Sequence, residues 1–191
     1  MHRALPQKLQ DAVLSAIPFS GICFRNVAQQ FATQQTILSA KGSLLAGGRF
    51  NFRGAFPVLY LSCDLHTCLE ETTQAFRQSG STVAQALPRT VVGIEVGLNR
   101  VLDLTAPMQR RRLGVTKASL TGADWVMTQD AENREALTQE LGRLARNAGF
   151  EALLVPSAAL PRTGKNLVIF SEQLLPHSYC HIVNKDRLPL I

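Results

Sequence analysis

Aromatic residues are scarce, at 6% of a 191-residue chain, and no tract of Lys and Arg is interleaved with them. The stacking platforms and basic stripes by which proteins hold nucleic acid are therefore missing, and no direct nucleic-acid binding is expected. No apolar run approaches the roughly 18–20 residues of a membrane span. The N-terminal stretch MHRALPQKLQDAVLSAIPFSG interrupts its apolar positions with polar ones and has no signal-peptide core. A cytoplasmic protein with no membrane partner is the expectation. The four cysteines, Cys23, Cys63, Cys68 and Cys180, form no CxxC pair and read as reduced, mostly buried thiols. Neither Cys63, His66 and Cys68 nor His177, Cys180 and His181 have a complete metal-ligand spacing, so no metal is expected. Closeness in sequence does not set an imidazole against a thiolate, so Cys/His catalysis lacks support as well. The glycine-rich stretch GGRFNFRG is neither a Walker A sequence nor a GxGxxG fingerprint, which disfavours nucleotide pockets of those types. Internal repeats and low-complexity linkers are absent too.

Hydrophobic residues, by contrast, make up 46% of the chain. A chain of this size buries roughly 70% of its unfolded surface, enough for one real core, and a single domain over 1–191 is expected. The formal net charge is +6, and it is unevenly placed. Residues 1–60 hold six basic residues (Arg3, Lys8, Arg25, Lys41, Arg49, Arg53) against one acid, Asp11, whereas 61–191 are nearly balanced. Three readings of the basic end stand: a solvated face, a non-catalytic module binding nucleic acid or protein, or a pocket for a phosphorylated ligand.

Periodicity predicts a helix over 6–17, ended by Pro18, and a short strand over 20–25. Residues 26–45 read as loop with one helical turn. A buried strand is expected over 57–62, followed by a helix over 65–78 capped by Asp64, with Leu65, Leu69 and Phe76 as its apolar stripe. Residues 89–97 and 100–104 read as two strands joined across Gly97–Asn99. Residues 106–130 have no clear period, and Arg110–Arg112 read as a solvated helix end. The strongest helical pattern is 131–148, with Leu137, Leu141, Leu144 and Ala148 in one stripe, Asp130 as cap and Gly149 at the left-handed terminus. Strands are expected over 151–155, stopped by Pro156, and over 166–170, with the last residues as a surface tail. Helices and strands mix without a strict βαβ rhythm, so the fold class is α+β: one mixed domain of sheet flanked by helices.

Four segments end apolar elements in polar groups, where sites are usually built: CFR at 23–25, GGRFN at 47–51, LYLS with LEE across 59–71, and VPSA at 155–158. With NLVIF at 166–170, the ordered set GGRFN, LYLS, CLEE, VPSA and NLVIF resembles the RES-domain family, named for its Arg, Glu and Ser. The resemblance covers about 22–171 and leaves the 6–17 helix and the 172–191 tail outside. The family's small-Leu-x-Glu pattern selects Glu71, and Arg49 to Tyr60 and Tyr60 to Glu71 are each eleven residues. Glu70 lies one helical step, about 100°, away and should face solvent. Phe50 stands where the family commonly has Trp, and Leu104–Asp130 has no match.

The resemblance implies an ADP-ribosyltransferase-like fold and a toxin that consumes NAD. NAD is then the substrate, with no cofactor and with inorganic phosphate as co-substrate if cleavage is phosphorolysis to ADP-ribose-1″-phosphate and nicotinamide. NAD hydrolysis and ADP-ribosylation of a protein are alternatives within the family. The implied partner is an antitoxin, often with a helix-turn-helix DNA-binding domain, that covers the active-site entrance. In this frame Glu71 stabilises the oxocarbenium-like anomeric centre, by analogy with glycoside hydrolysis. Tyr60 stacks on nicotinamide or ribose. Arg25 and Arg49 hold the pyrophosphate or an attacking phosphate. Ser157 donates to a phosphate or positions the nicotinamide ribose, and Asn51 and Asn166 bind substrate or fix turns.

Overall fold

A computed structural model describes residues 5–78, 80, 84, 87–122 and 124–190. Its helices are α1 (Leu5–Ala12), α2 (Lys41–Ala46), α3 (Leu65–Gln78), α4 (Pro107–Leu113), α5 (Lys117–Thr121), α6 (Trp125–Glu132) and α7 (Leu137–Asn147). Its strands are β1 (Ile17–Ala28), β2 (Leu59–Ser62), β3 (Arg89–Asp103), β4 (Ala152–Pro156), β5 (Lys165–Ile169) and β6 (Tyr179–Ile182).

Sheet order is β1-β2-β5-β4-β3-β6, and β1 also pairs with β3, so the first five strands close into a ring. The long β1/β3 ribbon is antiparallel from Ala28↔Arg89 to Ile17↔Val101. Strands β2, β5 and β4 are antiparallel neighbours, and the end of β3 runs parallel to β4. On β1's other side the seam to β2 is one pair, Phe24↔Ser62.

Period-two alternation divides the core as strand geometry requires. Leu59, Leu61, Leu167, Ile169, Ala152 and Leu154 face inward with Cys23, Ile94 and Val96. Val58, Val168, Phe170, Leu153 and Val155 face outward under the helices, with Leu9 from α1, Leu120 from α5 and Leu141 from α7.

Six expectations change. The helix expected over 6–17 ends at Ala12 and tightens into a single turn over Val13–Ser15, and the strand expected over 20–25 is longer, with Ile17 and Pro18 already in β1. The two strands expected over 89–104 are one 15-residue strand. No turn forms at 97–99 because the buried Glu151 carboxylate takes the backbone N–H groups of Asn99 and Arg100, each at 2.7 Å, while β1 absorbs a register shift between Ile17 and Phe19 opposite them. The helix expected over 131–148 is two helices, broken at the left-handed Asn133 (φ 46°). Asp130 therefore lies inside α6, and α7 starts from Ala136, whose N–H is taken by the Gln139 side chain at 2.9 Å. The stripe of α3 is turned: Leu65 and Leu69 are exposed, while Thr67 and Cys68 are buried. In the Arg110–Arg112 run, Arg110 is not solvated but donates to the carbonyls of Leu104 and Thr105 at 2.8 and 2.7 Å. The tail carries β6, paired to β3 from Ile94↔Ile182 to Gly97↔Tyr179. The helix over 65–78 stands as expected, and the Asp64 carboxylate caps it by accepting from the Thr67 N–H at 2.7 Å.

Candidate active site

A pocket of about 640 Å³ lies between α3, the second half of β1, the end of β2 and the GGRFN turn. Of the residues expected at the site, Arg25, Arg49, Tyr60, Glu71 and Asn166 line it. Asn51 and Ser157 sit behind the wall, both fully buried.

Glu71 points into the pocket from α3. Its Oε1 accepts from the Ser157 hydroxyl at 2.6 Å, the Ala158 N–H at 3.1 Å and the Asn166 amide at 2.6 Å. Asn166 is steadied in turn by the Ser62 hydroxyl, 2.8 Å from its Oδ1. Ser157 also accepts from the Leu160 N–H at 2.9 Å. Its one proton goes to Glu71, so Ser157 acts through that carboxylate rather than on a ligand. Glu71 Oε2 accepts nothing from the described residues. The carboxylate is thus gripped by one oxygen and presents the other to the pocket. Glu70 lies on the outer side of α3, with an oxygen 3.9 Å from His66.

Arg49 occupies the turn opposite. Burial lowers its pKa, countered by the attraction of Glu71, Tyr60 and Asp124; a guanidinium stays charged throughout. It donates to the Leu120 carbonyl at 3.4 Å. Both glycines before it are dictated by contact. Gly47 has φ +78°, and a Cβ there would lie 2.1 Å from Gln129 Oε1; a Cβ on Gly48 would lie 2.6 Å from the Tyr60 hydroxyl.

That hydroxyl accepts from the Phe50 N–H at 2.9 Å and donates to Asn51 Oδ1 at 2.8 Å. Burial raises the Tyr60 pKa well above its ordinary value, so the phenol stays neutral and presents a ring edge or face to the pocket while its oxygen holds the turn. Asn51 spends its amide on the carbonyls of Ser43 and Phe56, at 2.7 and 3.1 Å. It fixes the turn and does not reach a ligand. Arg25 donates to the carbonyls of Ile37 and Ser39, and burial lowers its pKa too. Cys68 also lines the pocket, but burial first of all pushes its thiol up to about 11, too high for a thiolate nucleophile at neutral pH.

Sequence reasoning missed the helical side of the pocket. Trp125, the only tryptophan, lines it from the first turn of α6. Gln74 and Arg89 line the far end. Arg89 donates to the Asn26 side chain and carbonyl at 3.0 and 2.8 Å and lies over the Phe76 ring. None of these stands in a short motif; only the lone tryptophan, in a chain so poor in aromatics, was a usable signal.

A gripped carboxylate and two half-buried guanidinium groups that line one pocket make a site suited to an anionic ligand. The RES domain model matches residues 10–190, and the chain belongs to that family. It is 29% identical over 145 residues, 74% of this chain and 70% of theirs, to proteins named NAD(+) phosphorylase MbcT from Mycobacterium tuberculosis and from Mycobacterium bovis. Its fold is similar to a chain in the crystal structure of the M. tuberculosis MbcT-MbcA toxin–antitoxin complex. The TM-score is 0.71 at 25% identity, covering 95% of this chain and 92% of that one.

Proposed function

We propose that the protein cleaves the nicotinamide–ribose bond of NAD by phosphorolysis. The observation that carries this is Glu71, held by three donors on one oxygen and open to the pocket on the other. In the reaction the bond between the anomeric carbon and the pyridinium nitrogen breaks, and its electron pair leaves with neutral nicotinamide. A phosphate oxygen forms the new bond, giving ADP-ribose-1″-phosphate. Nicotinamide leaves without protonation, so no general acid is needed. The free oxygen of Glu71 accepts from a ribose hydroxyl and stabilises the cationic anomeric centre, an interaction strongest in the transition state. Arg49 and Arg25 hold the pyrophosphate or the incoming phosphate, and Tyr60 packs against ribose or nicotinamide.

The test is NAD consumption in phosphate buffer with products identified by mass spectrometry. ADP-ribose-1″-phosphate is expected; free ADP-ribose would mean hydrolysis, and labelled protein would mean transfer. Persistence of NAD, or full activity in Glu71→Ala, removes the reading. The nucleic-acid alternative loses support, since Arg25 and Arg49 are spent on the pocket.

We further propose that the protein is the toxin of a toxin–antitoxin pair. Phe31, which lines the pocket, is 54% exposed, and Leu45 (78%), Met127 (61%) and Val126 (44%) are exposed on α2 and α6, the helices from which Ser43 and Trp125 line it, apolar surface suited to an antitoxin that closes the entrance. A helix-turn-helix domain on that partner belongs to the same proposal. Leu45→Asp should weaken co-purification with the antitoxin while leaving NAD turnover intact.

A further inference from the structure

The stretch Leu104–Asp130 matches none of the sequence motifs, yet with α7 it carries two buried glutamines under the Arg49 turn. Gln129 is 2% exposed and Gln139 is fully buried. Gln139 Nε2 donates to the carbonyls of Gly48 (3.1 Å) and Asn51 (3.3 Å) and to Gln129 Oε1 (3.1 Å). Its own Oε1 accepts from Ala136 N–H. Gln129 Nε2 donates to the Ala46 carbonyl at 3.1 Å and to Asp130 Oδ1 at 3.2 Å, while its Oε1 also accepts from Arg53 N–H at 3.1 Å. The two carboxamides thus touch both feet of the 46–53 turn and the two residues flanking its Arg49–Phe50 tip.

Two adjacent carboxamides in a core are costly unless every polar atom is paired, and here each one is. The turn's own pairing is a single bridge, Gly48 with Asn51, which leaves second lone pairs on those carbonyls; the Tyr60 hydroxyl holds the Phe50 N–H of the tip, and the glutamines hold the backbone on both sides of it. One turn beyond Gln139, α7 comes so close that a Cβ on Gly142 would lie 1.9 Å from the Phe50 carbonyl oxygen. Apolar side chains would fill the same volume but could not hold these four backbone groups.

The geometry points to Gln129 and Gln139 as positioning residues for Arg49, supplied by helices outside the motifs. This rests on the reading of Arg49 as a ligand-binding group in NAD cleavage. The pair touches no ligand. It sets the turn so that the guanidinium meets its charge partner without reorganising when substrate arrives.

The test is a double-mutant cycle in NAD turnover at saturating phosphate. Gln139→Met and Gln129→Met are measured alone and with Arg49→Ala, well below each variant's Tm. Each glutamine substitution alone should lower kcat/KM by roughly tenfold or more, and by less than about twofold when Arg49 is already absent. A purely structural role would lose activity equally in both backgrounds, and that result overturns the proposal. So does unchanged kcat/KM in a folded single variant. If Gln139→Met does not fold, Gln129→Met, which spares Gly48 and Asn51, decides alone. Full activity in Arg49→Ala would overturn both this inference and the assignment of Arg49, whereas an impaired but measurable Arg49→Ala with multiplicative losses overturns the positioning alone.

Discussion

The two sides of the pocket are held in different ways. On the carboxylate side, Glu71 is fastened by Ser157, Ala158 and Asn166, groups on or just beyond adjacent strands β4 and β5, and by the Ser62 relay from β2. Strand register alone brings them together, because Ser62 pairs with Asn166 and Val155 with Asn166 in turn. On the arginine side, Arg49 rides an irregular turn with one internal bridge, clasped by α5, α6 and α7. The first side reuses the sheet's ladder as its jig. The second needs dedicated polar side chains in the core. Disturbance should therefore stay local on the strand side and spread on the helical side.

The largest effect expected is from Glu71→Ala, a loss of roughly 10²-fold or more in kcat/KM, read by NAD consumption, with little change in Tm. Gly142→Ala sharpens the contrast from the other side. The new methyl must displace Phe50 by more than an ångström, and misplacement on that scale can cost on the order of 10²-fold with overpacking of about 1–3 kcal/mol. Activity and Tm should fall together, although the site of change is on α7. Ser157→Ala removes one of the three donors to Glu71, and a hydrogen bond to a charged group is worth about 1.5–3 kcal/mol. Roughly a tenfold loss in kcat is expected, with KM for NAD nearly unchanged.

Glu151→Gln tests a place distant from both sides. Burial raises the Glu151 pKa, but the bonds from Ser178 and the N–H groups of Leu175, Asn99 and Arg100 outweigh it and hold the net value below the ordinary one. A carboxylate depressed on folding contributes stability that is present above its unfolded pKa and is lost as pH falls through the folded one. The Tm gap between native protein and Glu151→Gln should be full at neutral pH and close in acid, while neutral-pH kcat stays unchanged. The smallest effect is chemical: Cys68, with its thiol pushed up to about 11, should alkylate slowly with iodoacetamide at neutral pH even though it borders the pocket.

The same contrast explains what the chain discloses in advance. Glu71, Tyr60 and Asn166 sit in short strings whose neighbours are apolar and periodic, so both the strand and its polar end can be read. Choosing Glu71 over Glu70 needed only a helical step and the motif. The expectation for α7 ran its face through Leu137, Leu141, Leu144 and Ala148; Leu141 is fully buried and Leu144 and Ala148 pack against the core, but the most buried face also carries Thr138, Gln139, Gly142 and Ala145. A search for apolar stripes is blind to a helix that turns glutamine and glycine toward the core. The Gly97–Asn99 turn failed for a related reason. What straightens β3 there is a carboxylate more than fifty residues away, and no local pattern registers it.

One consequence of the β1–β2 seam concerns solubility. Past Phe24↔Ser62, no described strand pairs with that side of β1. A bare strand margin of this kind ordinarily invites another chain to add itself to the sheet. Here α3 packs over β1 and β2, and Arg89 caps the Asn26 carbonyl. The gap left beneath the helix is the pocket. Among the described residues that margin is covered by a helix rather than by another strand, so the same roof that shapes the pocket also shields the ladder from edge-to-edge pairing.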